Sequence, residues 1–257
     1  MGPALALVAA AAAWIVADRR AGHPGGGLWW WSGIAALAIA LLSPIDRVAE
    51  DLMCVHMVQH LLLGLVAPLL VVRARPMRVL SHLAEPSVRR RWSRRTARLA
   101  HAPAVAPVVV VAHVGAWAAW HVPRLYDVAV AHDAIHVFEH LSLFVTGLAL
   151  WAVAWPAGPV RRSGLAGVLS VFFAASGTGA VAALLVISDQ ARYATDPATL
   201  HAWGLTRLQD QQLAGAIMWV PGGFVYLAAG VVLFATWLAR RPSRQPDLSG
   251  ATVVVGN

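Results

Sequence analysis

The sequence predicts an all-α, polytopic membrane protein: a bundle of about seven transmembrane helices, with the N-terminus outside the cell and the C-terminus inside. Two observations support this fold class. Of the 257 residues, 59% are hydrophobic and only 12% are charged, whereas soluble domains carry about 25% charged residues. The charged residues are also clustered between apolar runs, several of which reach the roughly 20 residues that a helix needs to cross a bilayer.

Seven apolar segments are candidates for the spanning helices. The first two are short, and the first is rich in alanine. A cleaved signal peptide carries its positive charge before the apolar stretch, but here Arg19 and Arg20 follow it. We therefore interpret the first segment as a retained helix. The seven segments cover approximately residues 3–17, 28–42, 52–72, 103–120, 132–154, 164–187 and 212–239.

The loops between these segments predict the orientation. Cytoplasmic loops are enriched in Arg and Lys, and sixteen of the twenty arginines fall on one side of the predicted bundle. Nine of them lie in the loop over residues 73–102, which we place in the cytoplasm. Next to a membrane, such a loop is expected to fix the topology and to contact anionic headgroups, so we expect the lipid bilayer and no nucleic acid as a partner.

The domain organisation follows from the same pattern. Residues 1–240 are predicted to form a single seven-helix transmembrane domain that includes the Arg-rich loop. The remaining residues, 241–257, are rich in small and polar types and include Pro246. We expect them to form a disordered cytoplasmic tail.

Two absences in the composition exclude particular functions. The chain contains no lysine, and a retinal protein needs a lysine amine for its Schiff base. The single cysteine, Cys54, cannot form an intramolecular disulfide. We expect Cys54 to pack in the protein interior.

Histidines are concentrated at the starts of the third and fifth predicted helices. Residues three and four apart share a helix face, so Met53, His56, Met57 and His60 form one stripe. In the fifth helix His132, His136, Glu139 and His140 form a second stripe in the same way.

The two stripes are predicted to lie at the same depth. At a rise of ~1.5 Å per residue, His56 and His136 lie ~6 Å below the outer ends of their helices, and His60 and His140 ~12 Å below. His113, on the fourth helix, falls at a similar depth. Because polar groups inside a membrane usually face the bundle interior, we expect the two pairs to face each other.

Two such pairs can supply four imidazole ligands to one metal ion. Imidazole suits Cu, Zn, Fe and Ni, and the thioether sulfur of methionine favours Cu(I), so Met53 and Met57 favour copper, with its oxidation state undecided. The predicted metal ligands are His56, His60, His136 and His140. Further ligands, or side chains that support the ligands, are expected among Met53, Met57, His113, His121, His132, Glu139 and Asp210.

Two other functions remain open at this point. The first is a haem cytochrome, in which histidines from facing helices bind the iron axially. The four-residue spacing favours one ion over two stacked haems. The second is an intramembrane metalloprotease, because residues 136–140 match the inverted HxxEH pattern. That reading gives no role to His56 and His60, since a catalytic zinc needs only three protein ligands.

Four segments carry motifs, beginning with HMVQHLLLGLVAPLLVV over residues 56–72 and HVFEHLSLFVTGLALWAVAWP over 136–156. The first resembles an early motif of the CtaG family of cytochrome c oxidase assembly factors, and the second resembles the second His segment of that family. Trp120-His121-Val122-Pro123 and the run that begins Asp210-Gln211-Gln212 are similar to two further elements. The matches cover roughly residues 30–240, in order.

The resemblance implies a seven-helix, non-enzymatic membrane factor that is needed to mature a haem–copper oxidase. It implies that copper is supplied or guarded for the catalytic subunit of cytochrome c oxidase, which would be the direct partner, in the cytoplasmic (inner) membrane of a bacterium. His56, His60, His136 and His140 fall where the family's His motifs fall. His121 matches the family's HxP element, and Asp210 its DQ element.

Overall fold

The computed structural model describes residues 2–22, 25–91, 94, 104–155 and 164–239. Within these ranges the regular secondary structure is entirely helical. The predicted tail over 241–257 and most of residues 92–103 lie outside the described residues. The helices used below are α1 Gly2–Arg20, α2 Gly27–Leu42, α3 Pro44–Asp51, α4 Met53–Arg73, α5 Pro76–Leu80, α6 Val105–Trp120, α7 Pro123–Ala131, α8 Asp133–Ala154, α9 Gly164–Val186, α10 Pro197–Ala202 and α11 Arg207–Ala239.

The predicted fold class is confirmed. By length and composition, five described helices can each cross a membrane, namely α1, α4, α8, α9 and α11. Two bent pairs, α2 with α3 and α6 with α7, raise the number to seven if each pair is one span. The predicted segments coincide with these helices to within a few residues, except that α11 begins at Arg207 rather than at 212. The orientation of the termini stays a prediction.

The sequence analysis did not predict the short helices α3 and α7. They bend away from the helices before them by 48° and 74°. Each begins with proline, which is favoured in the first turn of a helix. Before α3, the Ser43 side chain accepts a hydrogen bond from the Ile45 N–H. Before α7, Val122 is extended, as expected of a residue that precedes proline.

Helices α4 and α8 cross at closely packed glycines. A Cβ added to Gly147 of α8 would collide with the carbonyl oxygen of Gly64 in α4 and would lie 2.9 Å from the Pro68 ring. The chain around Gly64, Leu62–Val66, forms a π-helical turn inside α4. Trp151 of α8 donates a hydrogen bond of 3.0 Å to the carbonyl of Leu65 in this turn. The crossing therefore fixes α4 against α8 by both close packing and a hydrogen bond.

The two ends of the bundle differ in composition. We call the end where α4 begins at Met53 the histidine end, and the end where α4 finishes at Arg73 the arginine end. At the arginine end, Trp14 of α1 stacks on Trp30 of α2 with ring centroids 4.5 Å apart. These rings belong to a buried apolar cluster that also contains Val71 of α4.

The outward face of α8 shows how the chain separates lipid from polar groups. Val137, Phe138 and Leu141 are each more than half exposed, with values of 56%, 62% and 55%. Glu139, on the same two turns, is fully buried. This arrangement is that of a spanning helix with an apolar face towards lipid and its ionisable group towards the protein interior.

Candidate metal centre

Four side chains from α4 and α8 converge inside the histidine end: His56, His60, Glu139 and His140. One ligand atom from each lies within 4.8 Å of the others. His56 and Glu139 are completely buried, His60 is 1% exposed, and His140 is half-buried. The four-residue spacing places His56 and His60 on consecutive turns of α4. Glu139 and His140 are consecutive residues of α8, and both contribute a ligand atom to the same cluster.

The imidazole rings are already in contact with one another. The ring centroids of His56 and His60 are 4.1 Å apart, and those of His60 and His140 are 5.6 Å apart. His136 stacks on His56 at 5.3 Å and lies 4.2 Å from His140. His136 is half-buried and lies next to the four converging ligands. The two predicted pairs thus meet across the interface between α4 and α8.

Glu139 lies between the two histidines of α4. Its Oε2 is 3.8 Å from His56 Nε2, and its Oε1 is 3.4 Å from His60 Nε2. Neither pair forms a hydrogen bond, and both carboxylate oxygens are buried without a partner. The sequence analysis counted Glu139 only among the additional candidates, but the structure places it among the four converging side chains that could hold a metal ion.

The centre is rich in buried nitrogen and oxygen atoms that lack hydrogen-bond partners within the described residues. They are His56 Nε2, both ring nitrogens of His60, His136 Nε2, His140 Nε2 and both oxygens of Glu139. Leaving a buried polar group unpaired costs about 1–3 kcal/mol, and more if the group is charged. A bound cation would satisfy these atoms together, because imidazole nitrogen and carboxylate oxygen are metal ligands. The donor set therefore fits a metal ion.

Helix α3 orients His56. The Nδ1 atom of His56 lies 3.2 Å from the carbonyl oxygen of Ala49. A carbonyl can only accept, so Nδ1 carries the proton and the lone pair of the neutral ring is on Nε2, which faces Glu139. Hydrogen bonds of this kind fix the ring orientation of metal-binding histidines. Because α3 follows the bend after α2, this bend helps to fix the orientation of the His56 ring.

Asp210 supports the start of α4 and is not among the converging ligands. Its carboxylate accepts hydrogen bonds from the backbone N–H groups of Met53, at 2.9 Å, and Cys54, at 3.0 Å. These are unpaired first-turn donors of the helix, and a carboxylate at a helix N-terminus is favourable. Asp210 of α11 therefore holds in place the turn that precedes His56.

The two glutamines that follow Asp210 secure the segment between α9 and α11. The Gln211 side-chain oxygen accepts a 2.8 Å hydrogen bond from the Arg192 N–H. The Gln212 amide donates to the carbonyl of Ser188 at 3.0 Å. The Asp-Gln-Gln run is thus a structural element that connects the start of α11 to α4 and to the segment between α9 and α11.

A second pair of donors lies beside the centre. His121 Nε2 is 3.1 Å from the sulfur of Met57, and the His121 ring lies 6.4 Å from that of His60. His121 Nδ1 is 2.6 Å from the Trp117 carbonyl, so Nδ1 carries the proton and Nε2 faces the sulfur with its lone pair. Met53 is buried in the same apolar cluster as Met57, together with Cys54.

Besides Asp210, two further additional candidates are not brought into the centre. His113 Nε2 lies 2.9 Å from the hydroxyl of Tyr226, deeper in the bundle. His132 precedes the first turn of α8, is exposed, and donates from Nδ1 to the Val128 carbonyl at 3.1 Å. His132 therefore extends the histidine stripe of α8 to the surface, but it does not join the four converging side chains.

Aromatic side chains that sequence reasoning did not assign to the site cover the centre. The Tyr126 ring lies 5.2 Å from His56 and packs against Tyr193 at 4.9 Å. The Tyr193 hydroxyl donates to the His121 carbonyl at 2.8 Å, and burial raises the pKa of Tyr193 to about 12. No pattern in the sequence marks Tyr193, which lies in a loop without helical periodicity.

The family model Caa3_CtaG, described as cytochrome c oxidase caa3 assembly factor, matches residues 8–240. The comparisons with curated proteins and with solved structures found no match. The family match covers most of the chain and confirms the resemblance noted in the sequence.

Proposed function

Because the chain belongs to the family of cytochrome c oxidase caa3 assembly factors, we propose that it holds a copper ion for the metal centre of the oxidase. The ion is cargo that passes to the catalytic subunit of the oxidase, which docks on this protein within the membrane. The family suggests a non-catalytic role. The proposed setting is the cytoplasmic membrane of a bacterium, with the histidine end outside.

The observation that supports this function is the group of unpartnered donors between α4 and α8. His56, His60, Glu139 and His140 offer ligand atoms within 4.8 Å of one another. Placing so many polar atoms in the interior without partners is costly. A bound ion removes this cost, so a resident or transient metal accounts for their presence.

Copper is favoured over zinc by the donors beside the centre. Imidazole binds both metals, but thioether sulfur is a soft ligand that selects Cu(I). The Met57 sulfur and His121 Nε2 face each other at 3.1 Å, next to His60. We propose that this pair accepts copper from the main centre, or passes it on, during transfer to the oxidase. His136, half-buried above His56 and His140, is a ligand on the route from the surface.

The geometry is less favourable to a haem cytochrome. The rings of α4 and α8 are in contact, with His56 and His136 stacked at 5.3 Å. A macrocycle could bind between them only if the two helices moved apart, and the glycine crossing at Gly64 and Gly147 opposes such movement. An absorption spectrum of the purified protein distinguishes the two functions, because bound haem gives a strong Soret band.

The HxxEH metalloprotease has no observation in its favour beyond the pattern itself. His136 and Glu139 belong to that pattern, but His56 and His60 surround the Glu139 carboxylate. This arrangement is that of a multi-ligand binding site rather than of an open catalytic position. Peptide hydrolysis abolished by Glu139→Gln would restore the protease as an explanation.

Replacing His56 and His60, the two histidines of α4, is expected to deprive the oxidase of copper in cells. Cells that make the oxidase would carry either the wild-type chain or the His56→Ala/His60→Ala variant, and the purified oxidase would be analysed for copper and haem. We expect oxidase with normal haem and depleted copper. The matched control is His82→Ala/His201→Ala, which removes two histidines outside the centre. A fully copper-loaded oxidase, with the variant present in the membrane at wild-type level, would contradict the proposal.

A further inference from the structure

A second polar site lies at the arginine end, about 30 Å along α4 from Met53 at ~1.5 Å per residue. It is a pocket of about 210 Å³ between the start of α2 and the turn that joins α4 to α5. Its polar side chains are three arginines. The lining residues are Gly25, Gly26, Trp29, Arg73, Ala74, Arg75, Arg78 and Val79.

The pocket concentrates positive charge that no described carboxylate neutralises. Arg73, Arg75 and Arg78 line it without any acidic residue. Within the described ranges no carboxylate forms a salt bridge with any of the three. Three guanidinium groups around one small pocket repel one another, and this repulsion is relieved when an anion binds between them.

Arg73 is held in place by two indole rings. Its guanidinium carbon lies 5.1 Å from the ring centroid of Trp29 and 5.0 Å from that of Trp155. Stacking uses the faces of the planar guanidinium and leaves its in-plane N–H groups for an acceptor. Arg73 is therefore fixed in position at the pocket with its donors available, which is the geometry suited to phosphate oxygens.

The backbone around the pocket supports the same chemistry. Arg75 has a φ of 56°, and it is the one non-glycine residue with a positive φ in the described part of the chain. Strain of this kind is found where a site requires it. Across the pocket, Gly25 and Gly26 precede α2, which has no side-chain cap. The N-terminus of this 16-residue helix therefore borders the pocket, and the partial positive charge of a helix N-terminus favours an anion.

From these contacts we propose that the pocket binds the phosphate group of an anionic membrane lipid. A span of about 30 Å equals the hydrocarbon thickness of a bilayer, so the pocket lies at headgroup level at the membrane surface opposite the histidine end. Leu28 is 79% exposed and Trp29 41% exposed beside it, and they offer apolar surface to the acyl chains. A lipid bound here bridges α2 and α4.

The test measures lipid binding to the full-length protein, delipidated in detergent, by native mass spectrometry. Phosphatidylglycerol is titrated against the wild type, with phosphatidylcholine as the zwitterionic comparison. The site variant is Arg75→Ala/Arg78→Ala. The control is Arg19→Ala/Arg20→Ala, which removes two exposed arginines at the end of α1, outside the pocket. We expect the site variant to bind phosphatidylglycerol about tenfold more weakly or worse, and the control to bind it as the wild type does.

Equal binding in the site variant and the control overturns the proposal, and so does equal binding of the two lipids by the wild type. Inorganic phosphate forms a separate arm. If it binds the wild type and not the site variant while phosphatidylglycerol binding is unaffected, the ligand is a free phosphate and the lipid assignment fails. The copper content of the site variant, expected at the wild-type level, shows that the variant is folded and keeps this test independent of the metal centre.

Discussion

Replacing Glu139 by glutamine is expected to lower the affinity of the centre for copper by at least about 10- to 100-fold, the effect that loss of a supporting group has on metal sites. The loss of copper affinity should be at the upper end of this range or beyond it, because Glu139 is one of the four converging side chains that we propose as ligands. Its charge also balances that of the cation in a site of low dielectric. The measurement is a competition titration of the purified protein against a copper chelator.

The same substitution is expected to leave the metal-free protein as stable as the wild type, or more stable. In the metal-free state Glu139 is a buried ionisable group without a hydrogen-bond partner, and glutamine has the same shape without the charge. The control is Glu50→Gln, an exposed carboxylate on α3. Copper affinity within twofold of the wild type in Glu139→Gln would show that Glu139 is not a ligand.

Adding one methyl group at Gly147 is expected to destabilise the protein and to weaken copper binding together. The Cβ would collide with the Gly64 carbonyl of α4, and overpacking of this kind costs about 1–3 kcal/mol. Moving α8 outwards also separates Glu139 and His140 from His56 and His60. Metal ligand distances tolerate deviations of only about 0.2 Å. The Tm and the copper affinity of Gly147→Ala should therefore both fall.

Gly115→Ala provides the matched control for the glycine crossing. Gly115 lies on α6 with no atom within 4 Å of an added Cβ. Here alanine is expected to be neutral, or to stabilise by up to about 1 kcal/mol through its higher helix propensity. If Gly147→Ala behaved like Gly115→Ala in both measurements, the crossing would not set the distance between the two ligand helices.

The helices could be predicted because apolar length alone identifies a membrane span. The segments 52–72 and 132–154 match α4 and α8 closely. The bends before Pro44 and Pro123 were not predicted, although both prolines are visible, because proline can open a new helix as readily as it ends a span. The early start of α11 was missed because Arg207, Asp210 and Gln211 are polar and precede the apolar run that defined the predicted segment. In the structure their side chains pair with neighbouring segments.

The ligands could be predicted only as far as helix spacing determines them. The spacing of four placed His56 with His60, and His136 with His140, on single faces, and the structure brings the two faces together. The spacing did not reveal that Glu139 occupies the space between the histidines of α4, because this position depends on the rotation of α8 about its axis. Nor could spacing place His113, which pairs with Tyr226, or assign Asp210 to the backbone of Met53 and Cys54.

The copper content of the purified protein tests the central claim most directly. Wild type and His56→Ala/His60→Ala would be purified in detergent, loaded with copper, desalted and analysed for bound metal, with His82→Ala/His201→Ala as the control. The account predicts bound copper in the wild type and the control and a loss of most of it in the α4 variant. Equal copper in all three proteins would contradict it.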